Sequence, residues 1–288
     1  ADDPLERAPL LERAGELALA GDELDLAAGR LEEARALYTE AGSTHDAARA
    51  AVPLSTTLWA LGRPDDAIAL AESALEALAN DEPDEDIAQL AAEAARVHFF
   101  RGELETAMER VEQALEIAEA QRLPAVLSQA LNTKSLIIQG RPRESRALMR
   151  EALEVALEHD LVEAALRAYN NLAVVEWDAD RPAEARRLIA DAFDLARRRG
   201  HRHYLMSFAA WQCLFLLLDG DWDEAFALAD ELFAQPSANA IIVDAHNWLA
   251  AAALERGNAD EARRRFDLVA PEVETSTDLQ LRSGGLMR

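Results

Sequence analysis

Side chains able to do metal, nucleophilic or phosphate chemistry are few in this sequence and scattered. Six histidines stand at 45, 98, 159, 201, 203 and 246. Only His201 and His203 are close, and two residues apart on a helix they diverge by about 200°, too far for a metal pair. Cys213 has no second cysteine to pair with, which suits a reducing compartment. Lys134, the only lysine, lies in LNTKSL with no glycine-rich loop before it, so no phosphate-cradling loop is present. HExxH, CxxC, GxSxG and GxGxxG are all absent. Carboxylates are so dense that spacing cannot nominate an acid/base couple. We therefore expect no enzyme, no catalytic residue, no cofactor and no metal ligand.

Charge narrows the partners. Among 288 residues, 54 acids stand against 29 bases, for a net charge of −25. Such a field repels phosphate polymers and anionic membranes, so neither nucleic acid nor membrane is expected as a direct partner. The one dense basic cluster, RRRGHRHY at 197–204, reads as cations complementing a helix C-terminus, with docking of an acidic peptide or phosphate as the other reading. The longest apolar run, in WQCLFLLLDG at 211–220, stops at Asp219, short of the roughly 18 residues a membrane helix needs. ADDPLERAPL at the start lacks the basic and apolar regions of a signal peptide. A cytoplasmic protein is the expectation, and the missing initial Met suggests a piece of something longer.

The elements that must position any site come from a repeat. Composition is 50% apolar but only 6% aromatic, with 12 Gly and 10 Pro, which favours helices over sheets. LGRPDDAIALAESAL at 61–75 returns in related form as QGRPRESRALMREAL, ADRPAEARRLIADAF and DGDWDEAFALADELF. Alignment on Gly29, Gly62, Gly102, Gly140, Asp180, Gly220 and Gly257 gives intervals of 33, 40, 38, 40, 40 and 37, the period of stacked helical hairpins. At each anchor a left-handed residue ends one helix. Pro64, Pro142 and Pro182 then open the next, followed by first-turn acids that face its dipole. Pro53, inside a helix at 44–61, should kink or break it.

Two columns of small residues flank each turn. Five positions after the anchor stand Ala34, Ala67, Ala107, Ser145, Ala185, Ala225 and Ala262. Seven before it stand Ser55, Ala95, Thr133, Ala173, Cys213 and Ala250. Small residues on both sides let antiparallel helices approach closely, so Cys213 reads as packing and not as a reactive thiol. NDEPDED at 80–86 reads as a solvated connector that caps the next helix.

YNNLAVVEWDADRPAEARRLIADAF at 169–193 and NWLAAAALERGNADEARRRF at 247–266 resemble tetratricopeptide repeats. Ala173, Ala185 and Ala192 occupy the family's small columns in the first, and Ala250 and Ala262 match two of them in the second. The resemblance spans about 22–270. Five of the six intervals exceed the family's usual length of about 34, and Val269 departs from the third small column. It implies an all-α, right-handed superhelical solenoid of about seven hairpins, with an N-terminal helical segment at 1–28, the array at 29–270 and a tail at 271–288. Phe266 and Val269 on the last helix would face a neighbour, which suggests either further repeats or a homo-oligomer through the C-terminal edge. The Ala- and Arg-rich style is also similar to sensor arrays of large bacterial regulators that carry a signalling ATPase, a LuxR-type DNA-binding domain or a cyclase.

If the hairpins stack as the resemblance implies, the first helix of each lines a concave groove. The matching columns give Arg49 and Trp59 on one helix, and Arg96, Phe99 and Phe100 on the next. Lys134 follows, then Arg167, Asn170 and Trp177, then Asn247. Cations could take carboxylates, Asn side chains a peptide backbone, and aromatics apolar residues. The expected function is thus a protein- or peptide-binding scaffold for a partly apolar, acidic segment. The alternative is a small-molecule sensor governing an attached domain, which a closed pocket at Trp59, Phe99, Lys134 and Trp177 would favour.

Overall fold

The computed structural model describes residues 4–21, 23–233 and 240–275. Fourteen helices are found among them: α1 (Pro4–Ala20), α2 (Leu24–Glu40), α3 (Thr44–Ala60), α4 (Pro64–Ala77), α5 (Glu85–Arg101), α6 (Leu104–Gln121), α7 (Pro124–Ile137) and α8 (Pro142–Glu158). The rest are α9 (Val162–Asp178), α10 (Pro182–Arg199), α11 (Arg202–Asp219), α12 (Trp222–Leu232), α13 (Ala240–Glu255) and α14 (Ala259–Thr275). No strand occurs among the described residues. The chain forms two compact units, residues 1–171 and 172–288, divided within α9.

Turns carry the pattern. Pro64, Pro142 and Pro182 each open their helix, where the missing amide costs nothing. Gly62, Gly102, Asp180, Gly220 and Gly257 all have positive φ. At Gly102 (φ 82) the Gly102 amide donates to the Phe99 carbonyl (2.9 Å) and the Glu103 amide to that of His98 (3.0 Å). Those two bonds satisfy the last carbonyls of α5. The same pair of bonds recurs after α3, α9, α11 and α13.

Two anchors depart from expectation. Gly29 lies inside α2, so the boundary expected at 28/29 falls within a helix. The true register is about two helical turns earlier. There Gly15 takes the small position on α1, since an added Cβ would lie 2.5 Å from Leu31 Cγ. Two turns return to the same helix face, which explains why Ala27 and Ala34 are both buried. Gly140 is not left-handed either; α7 ends at Ile137 and a turn follows in which the Arg141 amide bonds the Ile138 carbonyl at 2.8 Å. Left-handed residues also close the turns between hairpins, at Gly42, Arg122, Asp160 and Gly200.

Pro53 does not break α3, which runs on to Ala60; the Thr57 hydroxyl donates to the Pro53 carbonyl (2.7 Å) one turn on. α14 outlasts its expected end at 270 by continuing to Thr275, and positions 276–288 of the expected tail lie outside the described residues. Val269 is buried within its unit, while Phe266 is half-buried.

Every residue of both small columns is buried. The Ser55 hydroxyl donates to the Ala67 carbonyl (3.3 Å), and the Cys213 thiol makes the same contact with the Ala225 carbonyl (3.6 Å). In unit 1, α3 also touches α5 and α5 touches α7. The second helices α4, α6 and α8 make no comparable contact among the described residues, so they splay while the first helices crowd.

Burial pushes the Cys213 thiol up to about 12. Cys213 should therefore resist a disulfide reagent such as dithionitrobenzoate at pH 8 in buffer and react at once in guanidinium chloride; fast labelling of the folded chain would contradict the packing role.

Candidate functional site

Crowding of the first helices puts Trp59 of α3 and Arg96, Phe99 and Phe100 of α5 in one cluster, while Arg49 of α3 lies apart from it. The Trp59 and Phe100 rings lie 5.4 Å apart at 36°, and Phe99 meets Phe100 edge-on at 5.2 Å. The Arg96 guanidinium carbon stands 5.9 Å from both the Trp59 and the Phe100 ring centres. Arg96 also grips Glu93 with two bonds, Nε to Oε2 at 2.8 Å and Nη2 to Oε1 at 2.7 Å. Glu93 is buried and accepts a further bond from the Thr56 hydroxyl (3.2 Å). Phe100 remains 49% exposed. A pinned cation at an aromatic wall that water still reaches can hold an apolar or aromatic side chain.

Other expected cations are matched too. Arg49 binds Glu12 (2.9 Å) and Asp46 (2.7 Å), and its guanidinium stands over the Tyr38 ring. Glu12 is buried and also accepts the Tyr38 hydroxyl (2.8 Å). Burial and that bond push the Tyr38 phenol up to about 12. Lys134 pairs with Glu112 on α6 (2.8 Å), and Arg167 with Glu163 one turn earlier (3.4 Å). Asn170 donates to Asn171 (3.4 Å). Each cation read as awaiting a partner's carboxylate thus has one from its own chain, as an excess of acids over bases favours.

Unit 2 holds the remaining two positions. Trp177 packs edge-on against Trp211 (5.9 Å) and beside Phe215 (5.8 Å), both buried, so it belongs to an aromatic core between α9 and α11. Asn247 lies part-exposed on α13.

Three segments, 46–120, 165–199 and 243–267, match family models described as tetratricopeptide repeat. The chain is a tetratricopeptide repeat protein. No curated protein sequence matches it. Among solved structures it is similar to aspartyl phosphate phosphatase F from Bacillus subtilis (17% identity, TM-score 0.63, covering 96% of this chain and 72% of that one). It is also similar to a Rap protein complexed with competence and sporulation factor (15% identity, TM-score 0.69, 96% and 76% covered). A third is the apo form of RapI (15% identity, TM-score 0.60, 98% and 99% covered). At these identities the likeness is one of fold.

Further groupings in this tetratricopeptide repeat protein escaped sequence reasoning. His45, at the start of α3, meets Asp81 (3.2 Å), Asp84 (3.1 Å) and Asp86 (3.2 Å) from the NDEPDED connector, and His45, Asp84 and Asp86 stand close enough together that they could also ligate a cation. Asp84 caps α5 through the Ile87 amide (3.0 Å), as expected of that connector. Burial works against protonation of His45, but the bond to Asp86 and the charge of Asp84 outweigh it, and its pKa is raised. Only the spacing of one repeat from His45 to the connector could have signalled this.

In unit 2, Arg265 is fully buried on α14, bonded to Asp230 (2.6 Å) and Glu261 (2.7 Å), with Phe226 below it. His246 is buried nearby. Burial first, then the charges of Arg265 and Arg264, push its imidazole down to about 4, against smaller opposing effects of Asp230 and the Phe233 carbonyl. The basic cluster at 197–204 spans the end of α10, where Arg197 pairs with Asp194 (2.9 Å), and the start of α11; the side chain of His203 lies outside the described residues.

Two outcomes follow from these charges. Arg49→Ala leaves Glu12 buried without its cation and should lower stability by about 2 kcal/mol in urea unfolding, whereas a mere surface pair would cost under about 1. His246 takes up its proton more readily when unfolded, since its folded pKa of about 4 lies below the ordinary 6.5. Stability should therefore fall as pH drops through that window, by at most about 3 kcal/mol, and His246→Leu should flatten that part of the profile measured by denaturant melts.

Proposed function

We propose that the chain is a non-catalytic binding scaffold that takes an extended peptide segment on the first-helix layer of unit 1, at Trp59, Arg96, Phe99 and Phe100. The observation that carries this reading is an aromatic cluster whose outermost ring, Phe100, is half in water while its cation is already fixed by Glu93. Interfaces draw most of their affinity from a few such aromatic and Arg anchors. Similarity in fold to a Rap protein solved with competence and sporulation factor supports a binding role.

The segment is recognised chiefly by an apolar or aromatic side chain laid beside Phe100. A carboxylate on it would add a bond to Arg96, whose remaining donors can serve an acid besides Glu93. Lys134 and Arg167 would extend the contact along α7 and α9, with Asn170 offered to the peptide backbone.

Linear peptides selected from a displayed random library against the whole chain provide the test. Selected sequences should carry aromatic or large aliphatic residues, and Trp59→Ala or Phe100→Ala should each weaken them about tenfold or more by fluorescence anisotropy. Arg96→Glu combined with Lys134→Glu should weaken only those peptides that contain acids. Undiminished binding by both aromatic variants would overturn the assignment.

A further inference from the structure

The splaying of α4 from α6 leaves a cavity of about 890 Å³ in unit 1, lined by none of the aromatic cluster's residues. Its walls are α4 from Ala69 onward and α6 from Arg110 onward, its floor includes Ile87 of α5, and the α4 to α5 connector closes one end at Asp81 and Pro83. Gln121 holds that connector through the Pro83 carbonyl. The volume lies in the range of sites that enclose small organic ligands.

Chemistry of the lining is two-sided. Leu75, Leu78, Ile87 and Ile117 present an apolar floor that is nearly all buried. Arg110 is the one cation of the lining, and Glu72 occupies its Nε (2.8 Å) and Nη2. Glu72 is engaged further by His98 (3.0 Å), so that pair adds no net charge to recruit an anion. Glu76 on α4 and Glu116 on α6 stand on opposite walls, are exposed, and make no ion pair among the described residues. Asp81 adds a third acid at the closed end, with His45 beside it.

We propose that this cleft is a binding site for a small amphipathic cation, an organic ammonium or iminium with an apolar body. The body would lie on Leu75, Leu78, Ile87 and Ile117, and the charge between Glu76 and Glu116. Charge complementarity selects this occupant. Two unpaired acids over an apolar floor, on a chain of net charge −25, penalise an anion and leave a neutral ligand without a partner for the carboxylates. The site is separate from the proposed peptide surface, and neither reading depends on the other.

A matched pair of xanthene dyes, cationic rhodamine 6G and anionic fluorescein, tests it by fluorescence anisotropy on the full chain. Saturable 1:1 binding of rhodamine 6G without detectable binding of fluorescein is expected. Glu76→Gln with Glu116→Gln should weaken the cation about tenfold, and Ala120→Trp, which fills the cleft from an exposed wall position, should block it. Glu105→Gln with Glu109→Gln, on α6 but outside the lining, should leave it unchanged. Far-UV circular dichroism confirms that each variant is folded. Absence of saturable rhodamine binding, equal binding of fluorescein, or equal losses from the two acid pairs would each overturn the proposal, the last by showing attraction to net charge alone.

Discussion

A small side chain seven positions before each hairpin turn meets another five positions after it, and that contact sets how near the two helices can lie. The seam is tight enough that a hydroxyl or thiol in one helix reaches a backbone carbonyl of the other, as Ser55 reaches Ala67 and Cys213 reaches Ala225. At the first hairpin even a methyl group is excluded, since Gly15 lies against Leu31. A larger residue at any of these places would push its helix outward and deprive the next hairpin of a flat surface to pack on. The left-handed turns serve the same end, because they let the chain reverse within two or three residues and deliver the second helix already in register.

Close pairing within hairpins has different consequences on the two layers of unit 1. First helices touch their counterparts in the next hairpin, and their side chains are compressed into clusters such as Trp59, Arg96 and Phe100. Second helices approach less closely, bridged between α4 and α6 by the Arg110–Glu72 pair, and a gap between those two helices stays open over α5. One packing rule thus yields both a crowded aromatic wall and an acid-rimmed cleft. Neither needs a special motif, which is why no catalytic signature accompanies them.

The seams were readable in the sequence because close approach permits only Gly, Ala, Ser, Thr or Cys, and a restriction that severe leaves a column in the alignment. Turn glycines were less readable. Gly29 satisfied the pattern yet sits inside α2, because a residue two turns away shares the same face and imitates the correct register. Asp160 and Arg122 adopt the conformation that Gly favours without advertising it. Pro53 predicted a kink or a break, and with α3 packed on both sides the helix does not break. For the site, the aromatic positions emerged from the repeat, but Glu93 did not. Its role depends on burial three residues from Arg96, and in a chain this acidic one more glutamate carries no signal. The cleft left no trace at all, since it arises from the distance between two helices and not from any residue type.

Electrostatics then decides what kind of recognition the aromatic wall can support. With 54 acids against 29 bases, the folded chain can pair its cations internally, as at Arg49, Arg96, Lys134 and Arg167. An incoming carboxylate would displace or share an existing partner, so its net gain is a small difference between two similar ion pairs. An incoming aromatic or aliphatic side chain displaces only water from Phe100 and its neighbours, and the full transfer free energy of that surface favours binding. Arg96, pinned by Glu93 against two rings, therefore acts more as a rigid polar edge to an apolar site than as a free charge. In the proposed site the apolar contact would supply affinity, and the residual donors of Arg96 would choose among the segments that can make it.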